Sequence, residues 1–471
     1  MSRKRSYVLT AVLLTSVLLR IAVACYLGSA FDETRGGTYD QISYDMLARR
    51  VASGHGFRFD RDWWPYARAN QPTAFWSYLY TGYLALTYRI FGHTPLLGRM
   101  LQALVVGLLT PLFLYRIGMR ASNRRVGLFA SAIAAVYLYF VHYAASLMTE
   151  AFYITALLWS FDVVARLVET LKGLTGLERL SRSATSLGSG MELGLAMGIT
   201  LLLRQVVLFF FIPMLLWIVW VAIRHSQLRA VIPTLVLSAV VTATVLAPWV
   251  WRNHEVFGVL GLPNSNAGFA FFWSNHPVQG VRFEPVLSPE RGLSYQELIP
   301  AELRHLNEAE LDRALLRRGL AFVLDDPWRY FRLCLSRIPV FFLFWPTADS
   351  SLLSNAARVL SFGLFLPLML YGLALNTVRA SKRCRREGLT AFLRMSASQP
   401  FLWGLFILVY TSVHLASWAN VRYRLPVDAF LILFAACGID HLVARYPHLW
   451  PRIAAAAMPN RSSRGDRLGV Q

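Results

Sequence analysis

The chain has 471 residues, of which 56% are hydrophobic and only 15% charged, and its mean hydropathy is +0.44. That balance lies outside the range of soluble domains and reads as an all-α, polytopic membrane protein. The formal charge of +21 does not make it a nucleic-acid binder, because apolar stretches recur along the whole length and leave no basic globular domain.

In chain order, residues 1–28 read as a cytoplasmic N-terminus and a first span over 7–28. Arg3, Lys4 and Arg5 precede its apolar core, as they would in a cleavable signal peptide, but the many later spans favour an uncleaved anchor. Residues 29–97 read as an outer loop, and 98–251 as a six-span core with segments 99–117, 126–145, 149–168, 189–203, 205–223 and 231–251. A second outer loop follows over 252–353, then three spans at 355–378, 401–419 and 427–444 within 354–445, and a basic cytoplasmic tail over 446–471. The ten segments are the candidates for crossing a hydrocarbon layer of roughly 30 Å.

Basic clusters set the orientation. Arg3/Lys4/Arg5, Arg120/Arg124/Arg125, Arg179/Arg182, Arg224/Arg229, Arg379/Lys382/Arg383/Arg385/Arg386 and the tail arginines Arg452, Arg461, Arg464 and Arg467 all fall on one side. By the positive-inside rule that side is cytoplasmic, and so are both termini. Segments 77–92 and 333–348 are also apolar, but counting either alone as a span inverts every later loop against this bias. They read instead as interfacial or re-entrant helices on the outer face. The two large outer loops hold as many acids as bases, so the excess positive charge is a topology signal, and the polybasic inner face attracts anionic membrane lipid. In the second loop, leucine and alanine at helical spacing predict a helix from about Glu302 to Val323, ended by Asp325-Asp326-Pro327.

Chemistry concentrates at the outer ends of the spans. The first outer loop carries Asp32, Glu33, Asp40, Asp45 and Asp60, and Asp40, Tyr44 and Ala48 stand at i, i+4 and i+8, the spacing of one helical face. A carboxylate at the mouth of a membrane cavity is suited to take a proton from a hydroxyl. Glu150, in LMTEAFYI, stands almost alone as a charge at the end of its span. Such a group either serves the helix dipole or marks a functional site; facing Asp40, it would form an acidic pair able to bind a divalent cation or position a hydroxyl. Arg204, Arg252, Arg422 and Arg424 sit at outer span ends, where topology disfavours positive charge. Guanidinium forks there either bind phosphate oxygens or snorkel to headgroups. His276 and His254 lack a second histidine at metal-ligand spacing, which leaves His276 as a hydrogen-bonding loop residue. Cys25, Cys334, Cys384 and Cys437 stand far apart without a CxxC pair and indicate neither zinc nor a disulfide framework.

These features together resemble the polyprenyl-phosphate-sugar-dependent glycosyltransferases of the GT-C fold, in particular glycosyltransferase family 39 with its protein O-mannosyltransferases and lipid A aminoarabinose transferases. The resemblance rests on Asp32-Glu33, Asp40 with Tyr44, Ala48 and GHGF, on PTAFWSYLYTGYLALTYRIFG, and on LMTE, APWVWRN, SNHP and RYRLP. It implies that a first-loop carboxylate, Asp40 or alternatively Asp32-Glu33, is the general base on an acceptor hydroxyl, with Glu150 as a second acid of the same cavity. It implies further that Arg204, Arg252, Arg422 and Arg424 hold the donor phosphate and that Tyr44 and His276 contact substrate.

The expected activity is transfer, with inversion, of a hexosyl or pentosyl group from a polyprenyl-phosphate sugar to a glycan, lipid or protein acceptor. The expected setting is the outer face of a bacterial inner membrane, and acceptor recognition is expected to rest on the outer loops. The absence of a Walker or GxGxxG motif fits a lipid-linked donor. The main rival is a secondary transporter or flippase for an anionic or lipid-linked solute, which would show broken helices near the midplane.

Overall fold

The computed structural model describes residues 3–31, 39–173, 183–261, 263–285, 296–348 and 350–448. Among these, eight helices are long and apolar enough to cross a membrane: Tyr7–Leu27, Pro95–Ala121, Glu150–Gly173, Gln205–Arg224, Leu228–Phe257, Leu352–Glu387, Gln399–Ala416 and Val421–Arg445. The chain is therefore a multi-pass membrane protein, and its described ordered elements are helical. The two remaining predicted spans depart from simple crossings, each for a physical reason.

Residues 126–145 form two helices, α1 (Arg124–Val136) and α2 (Leu138–Ala145), bent by 56°. The break is at Tyr137, whose backbone is extended at φ −65° and ψ 105°. A broken helix inside a bundle survives only where the released polar groups find partners. Here the Ala134 and Ala135 carbonyls accept from Arg20 at 2.9 and 3.0 Å and the Tyr139 amide donates to Ser361 Oγ at 3.1 Å, while the Tyr137 hydroxyl donates to Asp428 Oδ2 at 2.8 Å. Residues 189–203 lie in the helix Ser183–Leu203, whose apolar portion is short, and which packs along Leu228–Phe257. The contact is close because Gly190, Gly194 and Gly198 line its face: a Cβ on Gly194 would lie 2.5 Å from the Ser238 carbonyl oxygen.

Helices α3 (Tyr78–Phe91) and α4 (Pro327–Phe341) cover the two doubtful apolar segments with 14 and 15 residues. At 1.5 Å per residue both fall well short of a roughly 30 Å crossing. The second-loop helix begins at Glu308, not at Glu302, because Asn307 accepts from the Glu310 amide while Glu310 accepts from the Asn307 amide, a complete capping box. Residues 301–303 form only a short 3₁₀ turn. The Asp325-Asp326-Pro327 stop holds, and Asp326 then caps the next helix through the Arg329 amide.

The bundle core is aromatic: Phe161 lies 4.3 Å from Phe430 and 5.4 Å from Phe210 by ring centroid, and Phe406 packs against all three. At one end of the bundle the two large loops are laced together. Ala74 and Ser265 both donate to Glu308 Oε1, at 2.6 and 2.5 Å, and Tyr66 donates to the Ser265 carbonyl at 2.9 Å. Toward the opposite helix ends, Arg116, Arg120 and Arg166 surround Asp162, buried midway along Glu150–Gly173, and Arg125 pairs with Asp440 at 2.7 Å.

Candidate active site

The first loop delivers its carboxylate on a helix, α5 (Tyr39–Ala52), with Asp40 in the first turn. The spacing read from the sequence holds: Tyr44 and Ala48 are buried one and two turns on. Glu150 opens the helix Glu150–Gly173 and is 2% exposed. Arg204 sits in the extended link between Ser183–Leu203 and the next span, and Arg422 in the first turn of Val421–Arg445, which Asn420 caps.

Four separate segments thus bring two carboxylates and two guanidiniums together. Arg422 Nη1 forms an ion pair with Asp40 Oδ2, and Arg422 Nε lies 3.8 Å from Glu150 Oε1. Arg204 Nη2 meets the same Glu150 oxygen at 2.5 Å, while its Nε donates to Thr149 Oγ1 at 3.1 Å. Both guanidiniums lie over the Tyr423 ring, each 5.0 Å from its centroid, and Arg422 Nη2 donates to the Tyr423 hydroxyl at 3.2 Å. His414, itself buried, stacks on the Tyr423 ring with 5.0 Å between the centroids.

The acidic pair therefore does not meet face to face; Arg422 stands between its members. The four formal charges cancel, yet Glu150 Oε2 is buried without a hydrogen-bond partner among the described residues. Burying four ions costs more than burying apolar groups of the same shape, and an orphaned carboxylate oxygen adds to that cost. Such an arrangement at span ends makes these four residues the candidate site. Tyr44 lines it as a neutral phenol: burial first, and then the Asp40 charge, push its pKa up. Its oxygen faces the Ser77 amide at 3.4 Å, and Trp76 and Tyr80 pack edge-on against the ring at 5.3 and 4.8 Å.

The other expected residues lie elsewhere. Arg252 ties the two loops together through the Tyr78 hydroxyl, the Thr73 carbonyl and Asn253, with Nη1 3.1 Å from each of the last two. Arg424 is fully buried, bonded to Asp428 at 2.9 Å and to the carbonyls of Phe341 and Leu343 at 3.1 Å each, with its guanidinium 3.6 Å from the Phe362 ring centroid. Residues two apart on a helix point about 200° away from each other, so Arg422 and Arg424 cannot share a ligand. His276 accepts from the Val278 amide at 3.1 Å and packs between Phe272 and Phe322. Burial, with Arg329 and Arg318 nearby, lowers its pKa to about 4, so the ring is a neutral turn cap. Asp32 and Glu33 lie outside the described residues. No group of three or more His, Cys, Asp or Glu able to hold a metal ion occurs among the described residues.

Thr149, Tyr423 and His414 escaped the sequence reading. The first two are direct chain neighbours of Glu150 and Arg422, a signal available in LMTE and RYRLP; His414, inside an apolar span, carries no such mark.

Two solved chains show the same architecture over nearly the whole length. The archaeal oligosaccharyltransferase AglB from Archaeoglobus fulgidus, in complex with an inhibitory peptide and a dolichol-phosphate, matches 98% of this chain with TM-score 0.56 and 14% identity. The apo form of the Archaeoglobus fulgidus oligosaccharyltransferase matches 97% with TM-score 0.57 and 14% identity. The chain has the GT-C fold. It spans about half the length of these two GT-C chains, 53% of each. A looser likeness, with TM-score 0.41 and 13% identity over 98% of this chain and 82% of the other, is to ArnT from Cupriavidus metallidurans bound to undecaprenyl phosphate. The family model described as dolichyl-phosphate-mannose-protein mannosyltransferase matches residues 78–251. On this GT-C chain that stretch includes Glu150 and Arg204 and leaves out Asp40 and Arg422. No curated protein sequence matches the chain.

Proposed function

We propose that this protein is a membrane glycosyltransferase that moves a sugar from a polyprenyl-phosphate-linked donor to an acceptor hydroxyl. The observation that carries the reading is the string Asp40–Arg422–Glu150–Arg204, assembled at helix ends over one tyrosine ring. It pairs the two functions such a reaction needs, a carboxylate to accept a proton and guanidiniums to receive a phosphate.

Asp40 takes the proton of the acceptor hydroxyl as the acceptor oxygen attacks the anomeric carbon, and the bond from that carbon to the phosphate oxygen breaks. Attack from the face opposite the leaving group inverts the configuration. The polyprenyl phosphate departs with both bonding electrons, so its negative charge grows along the reaction. Preorganised guanidiniums in a partly dry site stabilise that charge. Arg204 and Arg422 serve this role in the proposal, and Glu150, which accepts from Arg204, holds that fork in position before the donor arrives. The dolichol-phosphate complex of the AglB match supports a polyprenyl-linked donor. The arginine bias of the loops supports an outer-face site with both termini cytoplasmic, as in a bacterial inner membrane.

The test is release of polyprenyl phosphate from a panel of synthetic polyprenyl-phosphate hexoses and pentoses by purified protein, with membrane extract as acceptor source. Release by the wild type and not by Asp40→Asn supports the assignment and identifies the sugar. Transport is the second reading, and the break at Tyr137 beside the buried Arg424–Asp428 pair is the observation that favours it. Movement of a labelled lipid between leaflets of proteoliposomes, without release of polyprenyl phosphate from any sugar, would put transport first.

A further inference from the structure

A second polar cluster lies on the first loop, about 100° round α5 from Tyr44. Asp45, buried at 4% exposure, is its keystone. One carboxylate accepts from the Tyr88 hydroxyl at 2.8 Å, meets His93 Nε2 at 2.8 Å and pairs with Arg49 Nε at 3.1 Å. Above it Arg49, Ser53, Arg89 and His93 line an open recess of about 470 Å³.

The bland account is that Arg49 and Arg89, each in the last turn of its helix, only offset the helix dipoles. It explains part of the geometry. Arg89 Nη1 caps the Ala52 carbonyl at 3.0 Å, but that is the only hydrogen bond of its guanidinium among the described residues. Arg49 meets Asp45 through Nε, its side chain is half exposed, and it lines the recess. One guanidinium and one imidazole thus share the buried Asp45 carboxylate, and the Arg89 guanidinium adds a second full positive charge to the same recess.

The second observation is apolar. On α3, Leu86 and Ile90 are each 62% exposed and Phe91 57%. Leu86, Arg89 and Ile90 stand at i, i+3 and i+4, so the exposed stripe and the cation of the recess share one helical face. A cationic pocket bordered by uncovered aliphatic side chains complements an amphiphile, with an oxyanion for the recess and acyl chains for the stripe.

We propose that this recess is a binding site for an anionic phospholipid headgroup, with the acyl chains lying along Leu86 and Ile90. The phosphate oxygens accept from the Arg49 and Arg89 forks, and Asp45 keeps Arg49 and His93 in register. The site stands whatever reaction the protein catalyses. Asp40 and Asp45 lie on the same helix, so a bound lipid also buttresses the helix that carries the candidate base.

The experiment measures binding of dioctanoyl phosphatidic acid to the purified full-length protein in neutral detergent, with dioctanoyl phosphatidylcholine and inorganic phosphate as comparators. Phosphatidic acid is expected to bind most tightly, with phosphate alone at least about tenfold weaker. Arg49→Gln with Arg89→Gln is expected to weaken it by about tenfold or more, as befits the loss of two charged hydrogen-bonding forks. Leu86→Gln with Ile90→Gln is expected to weaken the lipid and leave phosphate unaffected. Equal affinity in either double variant overturns the proposal, and so does phosphate binding as tightly as the lipid. Because a variant can fail to fold, the wild type is also labelled with a phosphatidic acid carrying a photoreactive acyl chain. Label on the peptide containing Leu86 to Phe91 supports the site, and label confined to other helices overturns it.

Discussion

Arg422 and Asp40, 382 positions apart in the sequence, form an ion pair that joins the last described span to the first loop. The same guanidinium reaches toward Glu150 from the other side. One arginine therefore holds the candidate base and couples it to the second acid, which makes the four-charge cluster a single unit whose members answer differently to substitution.

Asp40→Asn keeps the size of the side chain and removes the proton acceptor. Turnover is expected to fall by about 10² to 10⁴, the range for loss of a general base, while binding of the polyprenyl-phosphate donor is retained. Single-turnover kinetics beside equilibrium donor binding separates the two. Unchanged turnover in Asp40→Asn, with loss in Asp32→Asn, would move the base to Asp32.

Arg204→Ala and Arg422→Ala each remove a guanidinium from the Tyr423 ring. Donor affinity is expected to drop by roughly 10- to 100-fold in each, in line with about 1.5 to 3 kcal/mol for a charged hydrogen bond. Arg422→Lys restores the charge without the planar fork and is expected to recover only part of the loss. Titration of polyprenyl phosphate into each variant checks this.

Arg424→Ala is expected to act on stability instead. It leaves Asp428 buried without its cation and frees the Phe341 and Leu343 carbonyls, a loss of about 3 to 5 kcal/mol for a broken buried pair. The thermal unfolding midpoint in detergent should drop sharply. A variant of normal stability with weakened donor binding would show that Arg424 serves the ligand after all.

Asp312, in the second-loop helix, has its pKa raised from 3.8 to about 6, chiefly by burial. A carboxyl whose folded-state pKa exceeds its unfolded value binds more protons when folded, so its contribution to stability falls as pH rises from about 4 through 6. The burial-raised Glu308 acts in the same direction. Between pH 4 and 7 the unfolding midpoint of Asp312→Asn is expected to fall less steeply with pH than that of the wild type. Parallel profiles would remove Asp312 from the account.

Gly194→Ala places a methyl 2.5 Å from the Ser238 carbonyl oxygen and 2.7 Å from the Val241 Cβ. Backbone cannot yield as a side-chain tip can, so the helix pair must separate, at a cost of about 1 to 3 kcal/mol for overpacking. Unfolding of the purified variant in detergent reads the loss; Gly188→Ala, which meets open space, is the control.

Much of this was legible in the residues themselves. Hydropathy alone located the eight described helices long and apolar enough to cross a membrane, since the requirement for apolar length is local to each stretch. The Asp40–Tyr44–Ala48 spacing placed a carboxylate on a helix with a buried face, and the isolation of Glu150 in an apolar run marked it as unusual. Helix starts were harder. Leucine spacing cannot distinguish Glu302 from Glu308, but the reciprocal bonds of Asn307 and Glu310 decide it.

What the sequence determined by itself is whatever depends on near neighbours: the membrane class, the helices, and a short set of charged residues too costly to bury without purpose. Which of those charges share a site was decided only by the tertiary structure. Arg204, Arg252, Arg422 and Arg424 look alike as arginines beside apolar spans, yet two meet the acids, one ties loops together and one closes a buried pair. The reason is that an ion pair between residues hundreds of positions apart depends on helix rotation and crossing. These are set by packing across the whole bundle, such as the glycine contacts of Gly190 and Gly194 and the bend at Tyr137, and not by the residues flanking each charge.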